Sequence, residues 1–298
     1  MTLRARLAQP RILVAPGVYD ALTASLAEMA GFEAVYVSGA AVAYTRLGRP
    51  DIGLSTMNEM ADTCGLVRDR IDLPIVIDAD TGFGNALNAA RTMRVYERSG
   101  ADALQVEDQT YPKRCGHLKD KALIPAAEMA GKVAAMVDAR GADTLVIART
   151  DAIAVEGFGA AIDRAGTYVE AGADVLFVEA PRSREELETI ARTFPETPVM
   201  ANMVEGGATP LASADELEAI GFSLVIFPGG IVRAVARHAG DYYRSLREHG
   251  SNEPFRDRMH DFAGLNAVLG TDAMLEEGRR YKGRRYEDAP REGIWERE

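Results

Sequence analysis

Short apolar runs alternate with stretches of helical spacing along most of the chain. The runs lie at Ile12–Ala15, Ala34–Ser38, Ile75–Asp80, Ala103–Glu107, Leu145–Arg149, Val175–Glu179, Pro198–Asn202 and Leu224–Phe227. They are nearly continuous, which suits strands covered on both faces of a parallel sheet. Between them, segments such as Ala86–Ser99 and Ala126–Ala139 carry Ala, Leu, Met, Arg and Glu at helical spacing. Ala30-Gly31, Ser99-Gly100, Ala171-Gly172 and Ile220-Gly221 precede strands, and glycine just past a helix is a C-cap signal. Eight such units over roughly 230 residues predict an α/β fold, a (β/α)8 TIM barrel. A doubly wound open sheet is the competing architecture. The strand count and the polar residues at the C-terminal ends of nearly every strand favour the barrel, whose active face those ends form. Three further helical stretches follow the eighth strand, roughly Ile231–Glu248, Pro254–Leu269 and Thr271–Tyr281, before a charged tail from Lys282 to Glu298. No internal linker is visible, so residues 1–298 read as one barrel domain with extra C-terminal helices.

Composition changes this picture little. The 298 residues are 47% hydrophobic and 27% charged, as in ordinary globular proteins. A net charge of −11 argues against a general nucleic-acid-binding surface. It leaves room for an anionic substrate, because a cation inside a cleft can reverse the local field. Two cysteines, Cys64 and Cys115, make no disulfide framework. With no signal peptide after Met1 and no apolar run of about 18 residues, the expectation is a reduced, cytoplasmic setting without membrane contact.

The candidate chemistry sits at the strand ends. Asp78-Ala79-Asp80-Thr81-Gly82-Phe83-Gly84 closes the third strand, Glu107 and Glu179 close the fourth and sixth, and Asp51 lies after the second. Hard oxygen donors converging from several strands suit Mg2+; alternatively, each acid caps the helix that follows. Lys113-Arg114-Cys115-Gly116-His117 occupies the long loop after the fourth strand. Two cations and an imidazole beside a thiol stabilise its thiolate, which makes Cys115 a candidate acid/base or nucleophile. The plainer reading is a chance thiol in a basic loop. Cys64, within a helical pattern, reads as a small core residue. Arg149, at the end of the fifth strand, could bind a carboxylate through two hydrogen bonds or pair with a neighbouring acid. Backbone N–H groups at Ser38-Gly39-Ala40 could cradle a carboxylate; Asn202 and the loop Glu205-Gly206-Gly207-Ala208-Thr209-Pro210 are weaker candidates. His238, His249 and His260 read as surface or packing residues. There is no nucleophile-elbow serine, Walker-type phosphate loop or zinc-type Cys/His spacing.

Taken in order, Pro16-Gly17-Val18-Tyr19-Asp20-Ala21, Ser38-Gly39, Leu47-Gly48-Arg49-Pro50-Asp51, the paired-aspartate segment, the cysteine loop, Arg149-Thr150-Asp151, Glu179 and Asn202 resemble the isocitrate lyase/phosphoenolpyruvate mutase superfamily. The cysteine loop is similar to the signature of its lyase branch, whose nearest members are 2-methylisocitrate lyases and short lyases of the 2,3-dimethylmalate type. The resemblance covers about Arg11 to Gly270. It implies a barrel that exchanges its late helices between subunits, usually in a homotetramer. It implies Mg2+ (or Mn2+) near Asp78 and Asp80, largely through waters, with Glu107 and Asp51 close by. Ser38, Gly39, Ala40 and Arg149, together with Glu179 and Asn202, would hold a small carboxylate substrate. The implied reaction is a retro-Claisen, aldol-type cleavage of a 2-hydroxy di- or tricarboxylate to a 2-oxo acid plus a carboxylate. Cys115 would protonate the carbanion, poised by Arg114 and His117, and Tyr36 resembles the family's candidate base.

Two departures bear on the substrate. Gly206 stands where methylisocitrate lyases commonly carry an aromatic, and Ala40 where they tend to have glycine. Gly206 opens room for an alkyl branch and Val204 offers no hydroxyl, so a substituted malate should be cleaved at least as well as 2-methylisocitrate. Arg46, Arg49, Lys119 and Lys121 are the cations that could serve a third carboxylate instead. Phosphonomutases and oxaloacetate decarboxylases lack the cysteine loop; oxaloacetate hydrolase keeps it and is the runner-up. Outside that chemistry stand a metabolite-binding barrel without catalysis, which predicts degraded metal and cysteine segments, and a phosphosugar enzyme using Phe227-Pro228-Gly229-Gly230.

Overall fold

A computed structural model describes residues 1–116, 118 and 120–281. His117, Lys119 and the tail 282–298 lie outside the described residues. Two compact units are present, Met1–Arg237 and His238–Glu298. The division falls within the helix Gly230–His249, so the late segment forms a unit of its own where a single barrel domain was expected.

The first unit is the barrel. Its strands are β1 Leu13–Val18, β2 Val35–Val37, β3 Ile75–Asp78, β4 Ala103–Glu107, β5 Leu145–Thr150, β6 Val175–Val178, β7 Met200–Asn202 and β8 Leu224–Phe227. Among the described residues the strands pair in parallel, in the order β6-β5-β4-β3-β2-β1-β8-β7. An isolated parallel bridge between Leu176 and Val199 joins the two ends and brings the sheet round. Inward side chains such as Leu13, Ala15, Val76, Ile147, Phe177 and Ile226 fill the interior, while Val35, Ile77, Leu104, Val146 and Leu176 face the surrounding helices. This alternation is the period-two consequence of strand geometry.

Helices between strands start on side-chain caps. Asp20, Thr56, Asn85 and Ser213 each accept from the N3 backbone and complete a capping box. β1 runs further than its apolar run suggested, because Pro16-Gly17 continue the ladder: Gly17 pairs with Tyr36. A Cβ on Gly17 would lie 2.2 Å from the Pro228 carbonyl oxygen, so the backbones of β1 and the turn after β8 meet where only glycine fits. β3 ends at Asp78, and Asp80 turns away with φ 45°.

The sequence pattern gave no sign of a short helix at Leu3–Leu7, which begins on the Thr2 cap. Its Leu3 and Leu7 join the inner cluster with Leu13, Leu145 and Leu224, closing the N-terminal end of the barrel. Arg6 ties it down through Glu33 at 2.9 Å and the Arg11 carbonyl at 2.8 Å.

The second unit contains a 3-10 turn at Glu253–Arg258 and helices Phe262–Leu269 and Thr271–Arg280. Pro254–Leu269, expected as one helix, is therefore broken in two. Among the described residues of this unit Phe255 is the buried one, packed against His238 and Tyr242 with Arg258 over its ring. Phe262 is 88% exposed and Met274 70%. No helix among the described residues is long and apolar enough to cross a membrane.

Candidate active site

The C-terminal strand ends surround one cavity. Tyr36, Ser38 and Ala40 reach it from β2 and the turn beyond, Asp78 from β3, Gln105 from β4, Arg149 from β5 and Phe177 from β6. Asp51, Cys115, Glu179 and Asn202 also line it. Strands of different sequence position thus deliver most of the expected residues to one place. Gly39, Asp80 and Glu107 are buried behind this lining.

Asp78 accepts both of its hydrogen bonds on Oδ1, from the Asp80 N–H at 3.0 Å and Gln105 Nε2 at 3.3 Å. Its Oδ2 faces Gly39, where a Cβ would stand 2.8 Å away. Ser38 caps the helix Gly39–Val42 by accepting from the Ala41 N–H, so its hydroxyl already has local work. Lys113 does not flank the thiol as the sequence suggested. Its Nζ turns inward to Asp51 at 2.6 Å and Asp80 at 2.8 Å. Burial, with repulsion from Asp78 and Asp51, pushes Asp80 up to about 6 in spite of that ammonium. Burial likewise raises Glu107 well above the usual carboxylate range, opposed by Arg149 and aided by Asp151.

Those acids bear on a divalent cation. Glu107 Oε2 makes no hydrogen bond among the described residues, although Arg149 Nη1 stands 3.3 Å away. With the Oδ2 of Asp78 it offers hard, incompletely satisfied oxygen, the donor type that Mg2+ takes while keeping several waters. Crowded buried carboxylates are also held less easily ionised, a cost an added cation offsets. Asp51 and Asp80 already share the Lys113 ammonium, and no group of three His, Cys, Asp or Glu side chains among the described residues is placed to hold one ion.

Arg149 is nearly buried and forks onto Asp151, with Nε to Oδ2 at 2.8 Å and Nη2 to Oδ1 at 3.1 Å. Glu179 lies 3.7 Å from Nη2, and Phe177 lies under the guanidinium at 5.2 Å. The pairing with neighbouring acids is therefore present, and the guanidinium still lines the cavity. Asn202 donates to Glu179 at 3.1 Å.

The cysteine loop folds back on itself. The Gln109 amide brackets the backbone of Arg114, with Nε2 to its carbonyl at 2.8 Å and Oε1 from its N–H at 3.0 Å. Cys115 N–H donates to the Asp51 carbonyl at 3.1 Å. A Cβ on Gly116 would lie 2.5 Å from Arg149 Nη2, so the loop backbone rests directly on the arginine. The Arg114 guanidinium reaches Asp120 at 3.3 Å and does not line the cavity. Its expected partner in tuning the thiol, His117, lies outside the described residues.

Tyr36 is fully buried and donates to Gln105 Oε1 at 2.7 Å. Burial and then the Asp78 charge raise its hydroxyl well above the ordinary phenol range. That environment keeps the proton on and runs against the expected role as base.

Sequence reading missed Gln105, Tyr44 and Arg233 in the lining. Gln105 was findable, because Ala103, Gln105 and Glu107 alternate inward along β4. Arg233 sits one turn into the helix after β8 and pairs with Glu205. Of the cations proposed for a third carboxylate, Lys119 lies outside the described residues and the other three are placed elsewhere. Arg46 reaches the Glu59 carbonyl and Asp62, Arg49 is outside the lining, and Lys121 is committed to Asp151. Gly206 is exposed and also outside the lining; Val204 is the residue of that loop that lines the cavity.

Comparison with known proteins agrees with this geometry. The profile of the phosphoenolpyruvate phosphomutase family matches residues 3–247. The chain is 39% identical over 280 residues to a 2,3-dimethylmalate lyase of Eubacterium barkeri, covering 94% of this chain and 96% of that one. It is 45% identical over 270 residues to a 2-methylisocitrate lyase of Aeropyrum pernix, covering 91% and 87%. The crystal structure of a 2,3-dimethylmalate lyase, titled as a PEP mutase/isocitrate lyase superfamily member, superposes with a TM-score of 0.90 at 36% identity, covering 94% of each chain. The chain belongs to the phosphoenolpyruvate mutase/isocitrate lyase superfamily, among its carbon–carbon lyases.

Proposed function

We propose that this protein cleaves the C2–C3 bond of a 2-hydroxy di- or tricarboxylate, a substituted malate or 2-methylisocitrate, to a 2-oxo acid and a carboxylate. The observation that carries this reading is the meeting of Cys115, Arg149 and Asp78 on one cavity. A thiol, a carboxylate-binding guanidinium and a hard-oxygen pole are the groups such a cleavage needs. Asp78, backed by Glu107, Asp80 and Asp51, would hold Mg2+, with Mn2+ as a substitute. Bound there, the ion would supply a Lewis acid for negative charge on the substrate's oxygens.

The chain's own groups divide the remaining work. Arg149, already oriented by Asp151 and stacked on Phe177, offers its cavity-facing edge to a substrate carboxylate. The backbone at Ser38-Gly39-Ala40 and the Asn202–Glu179 pair complete the cradle. Tyr36, which keeps its proton, positions the 2-oxygen as a neutral hydroxyl. The 2-hydroxyl passes its proton to water in the cavity as C2 becomes a carbonyl, and the bonding pair passes to C3, where the adjacent carboxylate spreads the charge. Cys115 then gives its proton to C3, with Arg114 and His117 beside it in sequence to poise the thiol.

The exposed Phe262 and Met274 of the late helices support a homo-oligomer, a tetramer of helix-exchanging dimers, in which such residues find a surface to bury against. A product assay tests the function. With Mg2+ and a panel of 2-hydroxy di- and tricarboxylates, a 2-oxo acid and a carboxylate should appear in equal amounts. Turnover of oxaloacetate alone, to oxalate and acetate, would replace the lyase by a hydrolase.

A further inference from the structure

Lys121 lies four residues beyond the cysteine loop, and its side chain is 1% exposed. Its ammonium makes two short contacts, donating to the Gly116 carbonyl at 2.5 Å and to Asp151 Oδ1 at 2.7 Å. Asp151 is the carboxylate on which Arg149 forks. One acid therefore links the loop that carries the thiol to the guanidinium assigned to the substrate.

Asp151 is itself fixed from behind. Its N–H donates to Asp108 Oδ1 at 2.9 Å, and Asp108 Oδ2 accepts from Thr150 at 2.7 Å and from Tyr168 at 2.8 Å. None of these groups is exposed beyond 1%. Opening the loop would take the Gly116 carbonyl from a buried ammonium and leave that charge short of a partner, which is costly. Opening is thus penalised at the residue next to the thiol. On the other side, the Asp51 carbonyl takes the Cys115 N–H.

We propose that Lys121 is a positioning residue, a buried latch that holds the Cys115 loop against Arg149 so that thiol and substrate carboxylate site stand in fixed relation. Lys121 does not meet the substrate; it acts through Gly116 and Asp151. The role rests on Cys115 working at the reacting carbon, so the test pairs kinetics with readouts that need no turnover.

In the full-length protein, Lys121→Met removes the ammonium at similar length, and Lys121→Gln keeps a donor for the Gly116 carbonyl. Iodoacetamide labelling is followed by mass spectrometry, with buried Cys64 as internal reference, and hydrogen exchange is read over residues 113–118. Lys121→Met should label at Cys115 about tenfold faster or more, the scale of a lost hydrogen bond to a charged group. Exchange in the loop should quicken, Cys64 should stay unlabelled, and kcat should fall by a larger factor than KM changes. Lys121→Gln should recover part of each effect, and it carries the test if Lys121→Met does not fold. Folded variants whose Cys115 labels at the wild-type rate overturn the latch, even if turnover drops. Faster labelling in a protein that cleaves none of the panel upholds the latch and sinks the lyase reading instead.

Discussion

At the scale of single residues, the two cysteines separate cleanly. Cys64 is buried in the helix Met57–Arg70, and burial pushes its thiol up to about 12. Cys115 lines the cavity. Cys115→Ser should therefore lower kcat by about 10²-fold or more, the scale of a lost acid–base catalyst, while Cys64→Ser leaves kcat near wild type. Steady-state kinetics on both variants decides; wild-type turnover in Cys115→Ser removes the proton donor. Gly116 is constrained from the other direction. Its Cβ would meet Arg149 and Glu179, so Gly116→Ala should lift the loop and cut kcat/KM by about tenfold or more, with thermal stability little changed. Arg233 bears on substrate choice. It is a cavity-lining cation that the sequence hid inside a late helix, and a third carboxylate would have to compete with Glu205 for it. Arg233→Met should lower kcat/KM for 2-methylisocitrate more than for 2,3-dimethylmalate; an equal loss on both would show that the guanidinium does not discriminate. In the native protein, a kcat/KM ratio above about 10² in favour of 2-methylisocitrate, near 2.7 kcal/mol, would make the tricarboxylate the substrate. Residue identity thus named many of the groups that line the cavity. It could not tell that Lys113 would turn to Asp51 and Asp80 and leave the thiol, because that follows from where two distant loops meet.

Among elements, the strands were legible because burial on both faces leaves nearly unbroken apolar runs, as in Val175–Val178 and Leu224–Phe227. Helix ends were marked by glycines such as Gly221, which takes a positive φ of 114° at a C-cap. The misses have physical causes. Leu3–Leu7 is too short to show a helical period, and it is held by tertiary contacts instead: Leu3 and Leu7 against the barrel floor, Arg6 on Glu33. Leu7→Ala should cost about 2–5 kcal/mol by opening a cavity under the barrel, read as a drop in the urea midpoint. A midpoint equal to wild type would mean that the helix does not seal the core. The expected helix from Pro254 breaks where Asp261 caps a new start, a local hydrogen-bonding signal that the apolar pattern overrode.

The whole molecule carries the acids on one face of a barrel and exposed apolar residues on late helices. Dialysis against a chelator should abolish cleavage and Mg2+ should restore it; full activity in the metal-free protein would remove the cation from the account. Light scattering at micromolar concentration should report an oligomer, with a tetramer expected, and a monomer would leave Phe262 and Met274 unexplained. The claim that joins these levels is a C2–C3 cleavage ended by proton transfer to C3, and one NMR experiment tests it most directly. In D2O with Mg2+, 2,3-dimethylmalate should yield pyruvate and propionate in equal amounts, the propionate carrying one deuterium at its C2, the former C3. 2-Methylisocitrate should likewise give pyruvate and singly deuterated succinate. Both substrates surviving unchanged, or cleavage products without that deuterium, would contradict it.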